Sequence, residues 1–183
     1  MREFITNHFQ HVLCGLIFVS RAGDIVSTFL LTAKLKLEAN PIVKKLGWRF
    51  AVLTMLACLV PYYSTQAGII ILVPSLLVSA SNTAKIWSVR ALGETEYLNL
   101  LYRLARTTKL AHALAGVLVS ALFIAMAGLV LLFLAPNPSV DWGFWYAIGI
   151  LTYAFVVGFY GSIYVWRLFQ TARRADFPHT KGA

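Results

Sequence analysis

One hydrophobic segment near the N-terminus contains polar residues whose spacing is typical of a functional site. Arg21, Asp24 and Thr28 lie three and four positions apart in it, and residues with these spacings share one face of an α-helix. A charged side chain near the centre of a bilayer costs about 2.5–3.5 kcal/mol on insertion scales, so such residues face a protein interior and are candidates for function. The alternative is an internal ion pair between Arg21 and Asp24 that only fixes helix packing.

Three further polar residues extend this candidate site. The same segment continues to Glu38, Asn40 and Pro41, and Asn followed by Pro is a typical helix start that would explain Asn40 structurally. A solvated salt bridge would likewise explain Glu38. Asn82 lies late in another hydrophobic segment that runs to the same side, so we expect it to reach the level of Thr28. The predicted intramembrane cluster is therefore Arg21, Asp24, Thr28, Glu38, Asn40 and Asn82.

Several chemistries suit this cluster, and its spacing does not choose among them. Carboxylate, amide and hydroxyl oxygens are the ligands of hard cations such as Na⁺, Mg²⁺ or Ca²⁺. A polar lipid headgroup, held by Arg21 and nearby lysines, fits the same residues. Proton relay through Asp24 is the third interpretation. The sequence predicts no cofactor, and it is compatible with a bound cation or lipid.

The order of these residues resembles a known family. Asp24-x-x-x-Thr28, followed by Glu38-x-Asn40-Pro41, is similar to the signature of small prokaryotic membrane proteins that share a domain of unknown function. The resemblance covers roughly residues 15–90, and it implies only that these positions are the family's signature. Arg21 departs from that pattern, and it could neutralise Asp24 and leave a purely structural site.

Catalytic and metal-binding motifs are absent from the sequence. There is no Ser/His/Asp or Cys/His arrangement, no phosphate-binding glycine loop and no HExxH, so catalytic residues are unknown and an enzyme is the less favoured prediction. Cys14 and Cys58 both lie in apolar runs without metal-ligand spacing, where cysteine behaves as a small hydrophobic residue. No metal site is predicted.

The composition places the chain in a membrane. Hydrophobic residues make up 59% of it and charged residues only 13%, whereas soluble domains carry roughly 25% charged residues. Apolar runs of about 18 residues or more are typical of membrane-spanning helices. We therefore predict one transmembrane domain over residues 1–183, an all-α bundle whose five spans cover about 9–33, 47–64, 67–87, 110–134 and 142–169.

The basic residues predict an orientation for these spans. Of the 16 Lys and Arg residues, all except Arg2 and Arg21 fall on one side of the predicted topology. Short loops rich in Lys and Arg stay in the cytoplasm, so the N-terminus is expected outside and the C-terminus inside a prokaryotic cytoplasmic (inner) membrane. The net charge of +9 is thereby explained without nucleic acid as a partner.

The loop before the fourth span predicts an amphipathic helix. Residues 93–106 place Tyr97, Leu100, Leu101 and Leu104 on one face and arginines beside them. A helix of this kind typically lies along the membrane surface. Packing against another subunit is the alternative.

Small residues recur at four-residue spacing in the last two spans. Gly116 and Ser120 form one such pair, and Ala154, Gly158 and Ser162 form a stripe. Small residues let helix backbones approach closely in lipid. Packing within one chain is the favoured interpretation, and an interface in a homo-oligomer or with another membrane subunit is the alternative.

Three functions from different classes are compatible with the sequence. The first is a non-catalytic accessory or structural subunit of a membrane complex, which the small size and the absence of catalytic motifs favour. The second is a transport protein that binds an ion or solute at the polar face of span one. The third is a membrane enzyme that acts on a lipid headgroup. The expected partners are the lipid bilayer and either other membrane subunits or a second copy.

Overall fold

The computed structural model describes residues 8–38, 41–139 and 142–174. Within these ranges the chain is helical and contains no strand, which confirms the all-α prediction. The elements are α1 (Phe9–Leu31), α2 (Pro41–Leu53), a 3₁₀ segment (Thr54–Tyr62), α3 (Thr65–Leu92), α4 (Glu94–Thr107), α5 (Leu110–Leu134) and α6 (Trp142–Arg174).

Four of these helices are long and apolar enough to cross a membrane: α1, α3, α5 and α6. The shortest, α1, has 23 residues and is about 34 Å long at 1.5 Å per residue, which exceeds a hydrocarbon core of about 30 Å. The bounds of α5 coincide with the predicted fourth span.

Helix α3 is longer at both ends than the predicted span 67–87. It begins at Thr65 because the side chain of Ser64 accepts a hydrogen bond from the backbone N–H of Ala67 at 3.2 Å. Within it, Thr83 Oγ1 donates to the carbonyl of Ser79 at 2.8 Å, so this hydroxyl is satisfied inside the helix. It ends where Gly93 adopts a φ of +81°, a conformation that favours glycine.

The predicted second span, 47–64, has a different structure from the others. Helix α2 begins at Pro41, as the Asn40-Pro41 pair predicts, although Asn40 itself lies outside the described residues. Gly47, with φ +72°, then interrupts the α-helical geometry. From Thr54 onward the chain is a 3₁₀ helix of nine residues that contains Pro61, and proline cannot donate a helical hydrogen bond.

This stretch runs antiparallel to α1. Trp48 stacks edge-on against Phe29 near the end of α1, with ring centroids 5.5 Å apart. The ring of His11 near its start lies 2.7 Å, Nδ1 to Oη, from Tyr62. At about 1.5 Å per α-helical and 2.0 Å per 3₁₀ residue, Trp48 to Tyr62 rises about 26 Å, close to the roughly 27 Å from His11 to Phe29 along α1.

The remaining long helices form a bundle in which α1, α3 and α6 are parallel. A Cβ built on Gly68 would lie 3.0 Å from the Leu13 side chain, and one on Gly149 would lie 2.8 Å from Val73 Cβ. The Tyr153 hydroxyl donates to the carbonyl of Leu77 at 3.4 Å. Because Tyr153 follows Gly149 as Leu77 follows Val73, α6 runs in the same direction as α3.

Helix α5 is antiparallel to α6, and the two pack along most of their length. A Cβ on Gly128 would meet Leu151 at 2.9 Å, and one on Gly161 would meet Val117 at 2.9 Å. Glycine at such positions allows the backbones to approach closely.

The dry core lies at the end of the bundle where α1 and α3 begin. Its members are nearly inaccessible apolar side chains: Leu13, Ile17, Ile69, Leu72 and Val73. A smaller cluster at the opposite end joins α4 to α6 through Ala105, Phe169 and Ala172. There Arg106 Nε donates to the carbonyl of Ala172 at 2.9 Å, which fixes the helix predicted at 93–106 against the end of α6.

Candidate intramembrane binding site

The charged residues of α1 are paired with each other. Arg21 Nη1 lies 3.0 Å from Asp24 Oδ2, the geometry that a spacing of three allows on a helix. The same nitrogen donates to Ser75 Oγ of α3 at 3.4 Å. The two charges therefore cancel locally, and Arg21 also joins α1 to α3.

The guanidinium of Arg21 keeps unused donor capacity. Its buried Nε has no hydrogen-bond partner within the described residues, although arginine presents five N–H donors. An unpaired buried donor is costly, so a ligand oxygen that accepts from Arg21 would be stabilised there.

Asn82 and Thr28 meet about one helical turn beyond Asp24. Asn82 Nδ2 donates to Thr28 Oγ1 at 2.9 Å, so α3 brings Asn82 to the level that its position in the sequence predicts. Glu38 lies farther along, in the stretch that follows α1, and Asn40 falls outside the described residues.

A cavity of about 810 Å³ joins these residues. Its polar wall comes mainly from α1, α3 and the stretch after α1, and its members are Arg21, Asp24, Thr28, Thr32, Glu38, Asn82 and Lys85. A second wall comes from α5 and α6 and is mostly apolar, with Val117, Val156, Val157, Val165, Tyr160 and Tyr164 among its members. Helix α2 and the start of the 3₁₀ segment contribute the rest of the lining, which includes Trp48, Ala51 and Thr54. The volume is that of ordinary small-molecule pockets, which span roughly 300–1,000 Å³.

The residues predicted for helix packing fall in two places. Ala154 is buried, Ser162 is half-buried, and a Cβ on Gly158 would lie 3.4 Å from Ala121 of α5. Gly116 and Ser120 instead line the cavity. A Cβ on Gly116 would meet no atom of another element within 4 Å, so this pair borders open space and the cavity opens sideways there.

Sequence reasoning missed Glu94 as a functional candidate. Its carboxylate accepts hydrogen bonds from the Thr32 hydroxyl and from the backbone N–H groups of Lys34, at 3.4 Å, and Lys36, at 2.9 Å. Lys36 Nζ also donates to Thr95 Oγ1 at 3.1 Å. An acid directly after a glycine indicates only a helix start, and these partners are about 60 positions away, so no local pattern identifies the contact.

The other end of the bundle contains His8, His11, Cys14 and Cys58. The His8 and His11 ring centroids lie 6.1 Å apart, and both cysteines are free. Over the described ranges, no group of three His, Cys, Asp or Glu side chains could hold a metal ion. The cavity at the opposite end is thus the better candidate site.

Comparison with protein-family models, with curated proteins and with solved structures finds no match to this chain. The resemblance in Asp24-x-x-x-Thr28 and Glu38-x-Asn40-Pro41 therefore stays a prediction.

Proposed function

We propose that the chain crosses a prokaryotic cytoplasmic membrane five times, with its N-terminus outside. Because α1 and α3 are parallel, the chain between them must return along the full length of α1. The stretch from Trp48 to Tyr62 has that direction and that length. The basic residues then gather where α1, α3 and α6 end, as cytoplasmic segments require.

Cysteine labelling in intact cells tests this topology. In a background with Cys14 and Cys58 replaced by alanine, Ser64→Cys and Ser139→Cys are expected to react with a membrane-impermeant maleimide added outside. Thr107→Cys is expected to react only after permeabilisation. Labelling of Ser64→Cys only after permeabilisation would show that residues 48–62 do not cross.

Within this topology, we propose that the protein binds a small amphiphile in the cavity. The observation that carries this proposal is the pairing of a polar wall with an apolar wall in one space of about 810 Å³. A polar head would lie against α1 and α3, and an apolar tail would lie against α5 and α6. The sideways opening at Gly116 and Ser120 would let the tail continue into the lipid.

The charges on the polar wall favour a head without net charge. Arg21 and Lys85 supply two positive charges, and Asp24 and Glu38 supply two negative ones. An additional unbalanced charge in a space of low dielectric constant is costly. A zwitterionic or uncharged polar head leaves the balance intact and can still accept a hydrogen bond from Arg21.

This proposal belongs to the solute-binding class among the three functions. A bound ion would make no favourable contact with the apolar wall, so the cavity favours an amphiphile over a cation. The accessory-subunit function stays a prediction, since the exposed apolar face of α5 would accept lipid or a partner helix equally well. A lipid-headgroup enzyme needs catalytic residues that the site does not identify.

Lipid extraction from purified protein in nanodiscs, followed by mass spectrometry, tests amphiphile binding. Val156→Trp fills the cavity, whereas Phe155→Trp changes the neighbouring residue, which is 69% exposed and points outward. We expect a bound amphiphile, above the bulk lipid background, with wild type and Phe155→Trp but not with Val156→Trp. Equal recovery from both variants, or none from wild type, would refute the proposal.

A further inference from the structure

The chain between α1 and α2 closes one end of the cavity. Residues 32–38, which we call the α1–α2 loop, leave the last turn of α1 and pass beside the first turn of α4. Thr32, Leu37 and Glu38 of this loop lie on the cavity wall. Tyr97 and Leu101 of α4 lie on the same wall, so the loop and α4 together form this end of the site.

One carboxylate accepts most of the hydrogen bonds between the loop and α4; Lys36 Nζ donates to Thr95 as well, and Trp48 Nε1 of α2 donates to the carbonyl of Ala33 at 3.1 Å. Glu94 receives the Thr32 hydroxyl and two backbone N–H groups of the loop. Thr32 Oγ1 in turn accepts from the backbone N–H of Leu37 at 3.1 Å, so the contact with Glu94 extends to a residue on the cavity wall. Hydrogen bonds to a charged acceptor are stronger than those between neutral groups.

The loop is held in a conformation that it would not adopt freely. Leu35 has a φ of +53°, in the left-handed region that is unfavourable for residues with a Cβ. Such a conformation persists only where the surroundings enforce it. Leu35 is buried and its N–H donates to the carbonyl of Thr32 at 2.9 Å, and the bonds from the neighbouring Lys34 and Lys36 to Glu94 also hold this conformation.

We infer that Glu94 is a latch, and that its release lets the α1–α2 loop move away and opens the cavity to water on the α4 side. The inference rests on the proposed function, because it assigns the route by which a polar head enters. In the proposed topology that side is the cytoplasm. The apolar side of the cavity would remain open to lipid at Gly116 and Ser120 whether the latch is closed or released.

The latch can be tested without any ligand. With Cys14 and Cys58 replaced by alanine, Val78→Cys places a thiol on the cavity wall. A membrane-impermeant maleimide is added to inside-out vesicles, and the labelling rate is measured with and without Glu94→Gln. Glu96→Gln is the matched control, since Glu96 is exposed, lies on the same turn and accepts a hydrogen bond from Asn99 of α4 itself.

We expect Glu94→Gln to raise the labelling rate of Val78→Cys at least about tenfold, the factor that corresponds to about 1.4 kcal/mol, and Glu96→Gln to leave it unchanged. Thr32→Val, which removes a donor from the loop side, should act in the same direction as Glu94→Gln. Leu76→Cys, which points outward, should not respond to either.

Several results would overturn the latch. The first is that Val78→Cys is labelled at the same rate in the Glu94→Gln and Glu96→Gln variants. The second is that Val78→Cys is labelled rapidly while Glu94 and Thr32 are both intact. The third is that neither Glu94→Gln nor Thr32→Val allows Val78→Cys to be labelled. If no amphiphile is recovered but Glu94→Gln still raises the labelling rate of Val78→Cys, the proposed function fails and the latch stands. If an amphiphile is recovered but Glu94→Gln does not change the labelling rate, the latch fails and the proposed function stands.

Discussion

Replacing Asp24 by leucine removes the carboxylate that pairs with Arg21 and leaves its guanidinium in the bundle beside the Ser75 hydroxyl. At 3.0 Å and an effective dielectric constant of about 20, the direct attraction between the two charges is about 5.5 kcal/mol, and desolvation offsets much of it. Removing one partner of a fully buried pair costs about 3–5 kcal/mol. About a fifth of each side chain here remains exposed, so we expect a loss of about 2–3 kcal/mol in unfolding free energy.

The double variant Arg21→Leu/Asp24→Leu should be more stable than Asp24→Leu alone. Replacing a buried ion pair by apolar residues of similar size is often neutral or stabilising, and leucine is a good helix former in lipid. We therefore expect each single variant to be destabilised and the double variant to lie within about 1 kcal/mol of wild type. The difference is the coupling energy of the pair.

Unfolding by sodium dodecyl sulfate in mild detergent micelles, followed by circular dichroism, measures all four proteins. Arg90→Leu removes an exposed arginine at the end of α3 and controls for net charge. If the losses of the two single variants simply add in the double variant, the residues are not coupled and the structural account of this pair is wrong. A stable double variant without bound amphiphile would assign the Arg21–Asp24 pair to binding as well.

Two further expectations concern helix contacts. Gly149→Ala should destabilise the fold by about 1–3 kcal/mol because its Cβ has no room. Gly116→Ala borders open space and should be neutral or stabilise the fold by about 0.5–1 kcal/mol. Equal effects of the two variants in the same unfolding assay would contradict this packing. Asn82→Leu should lower the unfolding free energy by about 0.6 kcal/mol, the average for a hydrogen bond between membrane helices. Adding Thr28→Val to Asn82→Leu should lower it no further, because the hydrogen bond is already lost. Additive losses would show that the two residues do not interact.

Much of the architecture follows from the sequence because its causes are local. Pro136 and Pro138 limit α5, and the three-residue spacing of Arg21 and Asp24 produces their ion pair. The extra length of α3 at residues 88–92 was not predicted, because the apolar run that defines a span ends before Ser88 and Arg90, whereas the helix continues until Gly93.

The features that could not be predicted depend on distant partners. Glu94 meets Thr32 only because α4 folds back over the end of α1, and Ser75 meets Arg21 only through the register of α3 against α1. The change from α to 3₁₀ geometry at Thr54 also has no periodic signal, because both helices accept the same apolar residues.

The 3₁₀ segment has a consequence for membranes of different thickness. Nine residues that rise about 2.0 Å each would shorten by about 4–5 Å in α-helical geometry. The long α-helices of the bundle can match a thinner bilayer mainly by tilting. In the proposed five-span topology, this segment would do so by winding, and the change would draw Trp48 and the start of α2 toward the bilayer midplane.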